Sequence, residues 1–174
     1  RHFSISALPG MRERTIIVSG LSKSHAMTGW RIGYAVAPAE AVKLMTKIHQ
    51  FAIMSAPTTS QYAALEALNS GDDDIAAMRE EYDGRRKYML EGFRKMGLPC
   101  FEPKGAFYMF PDIRGTGMGS EEFCEKLLRK EKVAVIPGDA FGAAGDGFVR
   151  CSYCYSLATI GSALAGIERF IGSL

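Results

Sequence analysis

The sequence predicts an α/β protein in two unequal parts joined by one long helix. Two short apolar runs, "TIIVSG" and "IGYAVAP", flank a connection of small residues and read as neighbouring strands. The stretch from Asp72 to Met96 is too long for a strand and stops at Gly97, with Pro99 just beyond. After it the chain alternates strand-like and helix-like runs, the pattern of a small α+β lobe. The expected division is therefore residues 1–80 and 81–174, with the helix 72–96 bridging them.

Each element has its own local reason. Pro38 suits a helix first turn, and Val42, Met45, Ile48 and Ile53 follow at roughly helical spacing. "SAPTTS" breaks that helix, and "TSQYAALEALNSG" forms another that Gly71 stops. Ile75, Met78, Tyr82, Met89, Phe93 and Met96 make the apolar stripe of the long helix. Its opening "GDDD" could be taken for a metal cluster, but three acids in a first turn are explained by the helix macrodipole. In the second part "CFEPKGAFYMFPDI", "KVAVIPG" and "GFVRCSYCYS" read as strands. "SEEFCEKLLRKE", with Ser120 as its expected N-cap, and "LATIGSALAGIERFIG" read as helices. Two parts on one helix imply a cleft, the usual place for a small-molecule site.

Composition narrows the function classes. A formal net charge of +2 in 174 residues gives no electrostatic case for binding nucleic acid or a membrane surface. No apolar run approaches the roughly 18 residues of a membrane span, and no charged-then-apolar leader is visible, so the cytoplasm is the default location. The four cysteines, Cys100, Cys124, Cys151 and Cys154, include one CxxC pair but no second pair for a zinc site. Cys151 and Cys154 fall in one expected strand, where positions i and i+3 point to opposite faces. Reduced, mostly buried thiols are the expectation, with no metal.

The connection between the first two strands carries the chemistry. "SGLSKSHAMTGWRIGYA" places Lys23 among small hydroxyl residues and Arg31 shortly after it. A lone lysine there would be an ordinary solvated charge. Ser19, Gly20, Ser22 and Ser24 let backbone and hydroxyls approach an anion closely, and Arg31 presents a planar fork suited to phosphate. A lysine amine that attacks a carbonyl, beside an arginine that holds a phosphate, describes a pyridoxal-phosphate site.

These residues closely resemble the signature of the class I/II pyridoxal-phosphate aminotransferases, the fold type I group. Lys23, Gly29, Trp30, Arg31 and Gly33 all fall on its pattern, and "LPGMRERTIIVSG" resembles its lead-in. The resemblance covers the whole chain but only the C-terminal half of the family's architecture. It implies the C-terminal part of the large cofactor domain followed by the small C-terminal domain. It also implies pyridoxal 5'-phosphate as cofactor, an amino acid and a 2-oxo acid as substrates, and a homodimer in the full-length protein.

Residue by residue, the resemblance makes Lys23 the Schiff-base and catalytic lysine and Arg31 the cofactor-phosphate ligand. "GFVRCSY" resembles the strand whose arginine grips the substrate α-carboxylate, which gives Arg150 that role. The apolar neighbours of Arg150 favour an inward-facing, charge-paired side chain over a plain surface charge. Many members carry a hydroxyl residue three positions before the lysine; here that position is Gly20, and Ser22 or Ser19 or backbone amides are the candidates to replace it. The family's pyridine-nitrogen aspartate, a tyrosine and an asparagine precede the lysine, and no Asp-x-x-Tyr precedes Lys23. The chain is thus expected to be a C-terminal half, inactive alone.

"RGTGMGSEEF" lacks the full G-x-G-x-x-G pattern and is expected as a surface loop; "GDAFGAAGDG" is expected on the substrate side near Arg150. His25 receives no role. Two other functions use the same residues: a carbon–sulfur lyase on this fold, or the aminotransferase-like sensor lobe of a transcription regulator.

Overall fold

The structure, a computed structural model, describes residues 2–174. They form two compact units that divide between Ala77 and Met78, inside the long helix.

The first unit begins with two 3-10 turns and then a hairpin. β1 (Ile17–Gly20) pairs antiparallel with β2 (Gly33–Val36), with Gly20 opposite Gly33. That pairing needs small residues, because a Cβ on Gly33 would lie 3.0 Å from the Ser19 carbonyl oxygen. Pro38 caps α1 (Ala39–Ala52), and Pro57 caps α2 (Thr58–Ser70), so a fixed proline φ starts each helix. Gly71 closes α2 where a Cβ would meet the Ala67 carbonyl oxygen at 2.5 Å. Leu21 and Met27 are buried, together with Ser60. The apolar stripe of α1 is present but uncovered: Val42, Met45, Ile48 and, just past its end, Ile53 are all exposed, and so are Ile16, Val18 and Val36 of the hairpin region.

The second unit holds the core. α3 (Asp72–Lys95) enters it and presents Met89, Leu90 and Phe93 inward. Three aspartates occupy its first turn, where they complement the positive end of the dipole. Gly97, at φ +74°, takes the left-handed position that ends the helix. A three-stranded antiparallel sheet follows in the order β3 (Tyr108–Met109), β5 (Val149–Ser152), β4 (Ile136–Pro137). Phe123, Cys124 and Leu127 of α4 (Ser120–Glu131) pack into the same core, with Ile160, Leu164, Ile167 and Phe170 of α5 (Leu157–Ile171). Burying each such side chain contributes about 1.5–3 kcal/mol.

Several expectations need correction. The strands are much shorter than the apolar runs, and "CFEPKGAFYMFPDI" keeps β3 and the isolated bridges Cys100–Pro111 and Asp112–Phe148. Cys154 lies beyond β5 and is exposed, so the CxxC pair does not share a strand; Cys124 and Cys151 are buried and Cys100 is half-buried. Burial pushes the Cys124 thiol up to about 11 and raises that of Cys151 further. Ser120 is not the N-cap. Gly119 occupies that position, and Asp146, far away in sequence, caps the helix by accepting the Ser120 amide at 3.2 Å. "RGTGMG" lies at the surface as expected, and its first three residues form a 3-10 turn (Arg114–Thr116) tied to Asp112. No described helix is long and apolar enough to cross a membrane.

Candidate active site

The hairpin connection folds on its own apolar residues. The amides of His25 and Met27 both donate to the Leu21 carbonyl, at 3.1 and 3.4 Å, while the Leu21 and Met27 side chains turn inward. This compact turn leaves Lys23 exposed and Ser22 half-buried. No acidic residue lies between Glu13 and Glu40, so cations and hydroxyls dominate the donor set.

Arg31 sits at φ 51°, in the left-handed region that a non-glycine residue occupies at a cost of about 1–2 kcal/mol. Two contacts hold that conformation. Its Nη1 donates to the Thr28 carbonyl at 2.8 Å, and the carbonyl of the preceding Trp30 accepts from the buried Ser60 Oγ at 2.6 Å. The backbone is thus fixed from α2, while the Arg31 side chain is exposed. Strain of this kind, locked by surrounding structure, is characteristic of ligand-binding positions.

Gly20 explains the departure from the family pattern. A Cβ there would come within 3.3 Å of the Ile32 carbonyl oxygen and 3.4 Å of the Gly33 Cα. A side chain at this position has to push the strands apart by a few tenths of an ångström. The site therefore does without a side chain there, and Ser22 is the half-buried hydroxyl nearest in sequence.

Arg150 belongs to the second unit, on the central strand β5. Val149 and Cys151 alternate with it and are buried, while Arg150 and Ser152 share the other face. Its guanidinium lies over two aromatic rings, 4.3 Å from the Tyr108 centroid and 4.5 Å from that of Phe141. It also lines a cavity of about 680 Å³ with Ile136, Ser152 and Tyr155. The acid lining that cavity, Glu131, is engaged by Arg169 at 2.7 Å. The expected charge pairing of Arg150 is therefore replaced by aromatic contact. Ser60 and Tyr108 were invisible as site residues in the sequence, since each acts on a partner distant in the chain; Phe141 lies in the glycine-rich segment expected near Arg150.

A lysine, an arginine in a locked turn and neighbouring hydroxyls suit a cofactor with a phosphate and a reactive carbonyl. The donor set thus fits pyridoxal phosphate. Residues 3–167 match the family described as aminotransferase class I and II, and this chain belongs to that family, whose members depend on pyridoxal phosphate. It is 45% identical over 173 residues to the aspartate aminotransferase of Pyrococcus abyssi, covering 98% of this chain and 44% of that protein. It is 42% identical to aromatic-amino-acid aminotransferase 2 of Thermococcus litoralis, again with 98% and 44% covered. The crystal structure of an aromatic aminotransferase from Pyrococcus horikoshii OT3 matches with a TM-score of 0.94 at 45% identity, over 99% of this chain and 47% of that one. The chain spans just under half the length of the curated relatives it matches.

Proposed function

We propose that this chain supplies the Schiff-base lysine, a phosphate ligand and the substrate-carboxylate ligand of an enzyme that moves an amino group between an α-amino acid and a 2-oxo acid. The observation that carries the reading is the locked left-handed turn at Arg31, in the same hairpin connection as Lys23. Arg31 and Ser22 hold the cofactor phosphate, and Lys23 Nζ holds the cofactor covalently at rest. When bound, the cofactor supplies an electron sink for charge that develops on the substrate α-carbon. Lys23 Nζ would serve as the base that takes the proton from that carbon and as the acid that gives it back. Arg150 grips the α-carboxylate with its planar fork and thereby orients the bond to be broken.

In the complete enzyme the remaining site groups come from outside these 174 residues, and the chain alone is inactive. We also read that enzyme as a cytoplasmic homodimer. Four cysteines present as thiols support a reducing compartment, and the resemblance to the family supports the homodimer.

Steady-state kinetics with an amino-acid donor and a 2-oxo-acid acceptor tests the reading. Parallel double-reciprocal lines and transfer of the donor nitrogen to the acceptor are expected. Breakdown of the amino acid without an acceptor, with release of ammonia and a thiol, would instead show a lyase.

A further inference from the structure

We infer that Tyr108 and Phe141 are positioning residues that hold the Arg150 guanidinium in one orientation for a carboxylate ligand; the inference rests on the reading of Arg150 given above. A guanidinium over an aromatic face is attracted by the ring quadrupole and sheds water on that side. Its donors lie in its plane, where a carboxylate binds two of them at once. Two rings with centroids 4.3 and 4.5 Å from its central carbon crowd the Arg150 guanidinium and leave it fewer orientations. The acid of the adjoining cavity is taken by Arg169, so within that cavity the charge of Arg150 is left for an external carboxylate.

Both rings are themselves held. Tyr108 pairs opposite Ser152, two residues along β5 from Arg150, so it is the diagonal neighbour on the same sheet face. Its ring also lies 4.4 Å from that of Phe107. Phe141 ends the 3-10 turn Gly138–Phe141, and the start of that turn is locked by a close crossing. A Cβ on Gly138 would meet the Gly145 carbonyl oxygen at 2.1 Å, and one on Gly145 would meet that of Gly138 at the same distance. Ser120 Oγ fastens the crossing, accepting from the Gly147 amide at 2.9 Å and donating to the Phe148 carbonyl at 2.8 Å. Phe110 then meets Phe141 edge-on at 6.2 Å. The glycine-rich segment is therefore a rigid bracket that delivers one ring to Arg150. A guanidinium ordered beforehand spends less of its binding energy on being ordered by the ligand.

The test uses the complete enzyme and two carboxylates that lack a reacting amine, maleate and 3-phenylpropionate. The one that binds the unaltered enzyme more tightly serves as probe, measured by calorimetry beside pyridoxal-phosphate affinity and thermal midpoint. Phe141→Ala and Tyr108→Ala are expected to weaken the probe by about tenfold, with cofactor affinity within about twofold. Phe141→Tyr and Tyr108→Phe, which keep the rings, are expected to restore it. If either alanine variant fails to fold, Phe141→Leu and Tyr108→Leu keep the bulk, remove the ring and carry the same expectation. Unchanged probe binding in the ring-less variants, while Arg150→Ala loses it, would overturn the inference and leave the carboxylate reading standing. Loss in the ring-keeping variants would also overturn it. Unchanged binding in Arg150→Ala would remove the underlying reading itself.

Discussion

The buried hydroxyl of Ser60 donates to the carbonyl oxygen of Trp30 at 2.6 Å, and so ties the first turn of α2 to the residue just before Arg31. Trp30 and Ser60 lie 30 positions apart, yet the bond fixes the backbone that turns left-handed at Arg31. Ser60→Ala removes this bond, a loss of about 0.5–1.5 kcal/mol. Denaturant unfolding of the complete enzyme is expected to show that loss. Titration with pyridoxal phosphate is expected to show weaker binding, recovered in part by Ser60→Thr.

The two arginines are expected to fail differently. Arg31→Ala should raise the dissociation constant for pyridoxal phosphate. Arg150→Ala should leave it nearly unchanged and raise KM for both the amino acid and the oxo acid, by the about 1.5–3 kcal/mol of a hydrogen bond to a charged group. Cofactor titration and initial rates on the same preparations separate the two, and release of cofactor by Arg150→Ala would mean the roles are exchanged.

Glycines of unlike surroundings should respond with opposite sign. Gly84 lies inside α3 with nothing within 4 Å of an added Cβ, so Gly84→Ala is expected to stabilise by about 0.5–1 kcal/mol. Gly138→Ala drives a methyl onto the Gly145 oxygen at 2.1 Å and is expected to destabilise by about 1–3 kcal/mol or more. Thermal denaturation of the pair measures both.

The long helix was legible because one stripe of apolar residues, three first-turn acids and a left-handed Gly97 all agree on it. The β-strands were not, because apolar runs such as "KVAVIPG" show what can be buried and not where pairing ends; only Ile136 and Pro137 join the sheet. Ser120 looked like an N-cap because local sequence cannot reveal Asp146, which caps the helix from across the bracket. For the same reason Lys23 and Arg31 could be picked out by spacing within one connection, whereas the aromatic neighbours of Arg150 come from β3 and from the glycine-rich turn. The stripe of α1 was read correctly as helical, and in these 174 residues Ile48 stays 70% exposed.

Those bare faces predict the behaviour of residues 1–174 alone. Ile16, Val18, Val36 and the stripe of α1 present contiguous stretches of apolar sequence to water, a condition that drives association. Light scattering of this chain is expected to show concentration-dependent oligomers, with no transamination. A monodisperse, active monomer would contradict both expectations.

Covalent attachment at Lys23 is the centre of the account, and reductive trapping tests it most directly. The complete enzyme is saturated with pyridoxal phosphate, reduced with borohydride, digested with trypsin and read by peptide mass spectrometry. The predicted result is one pyridoxyl group on Lys23, which blocks cleavage there and yields the peptide TIIVSGLSKSHAMTGWR, residues 15–31. A stoichiometric pyridoxyl group on any other lysine, with Lys23 cleaved normally, would contradict it.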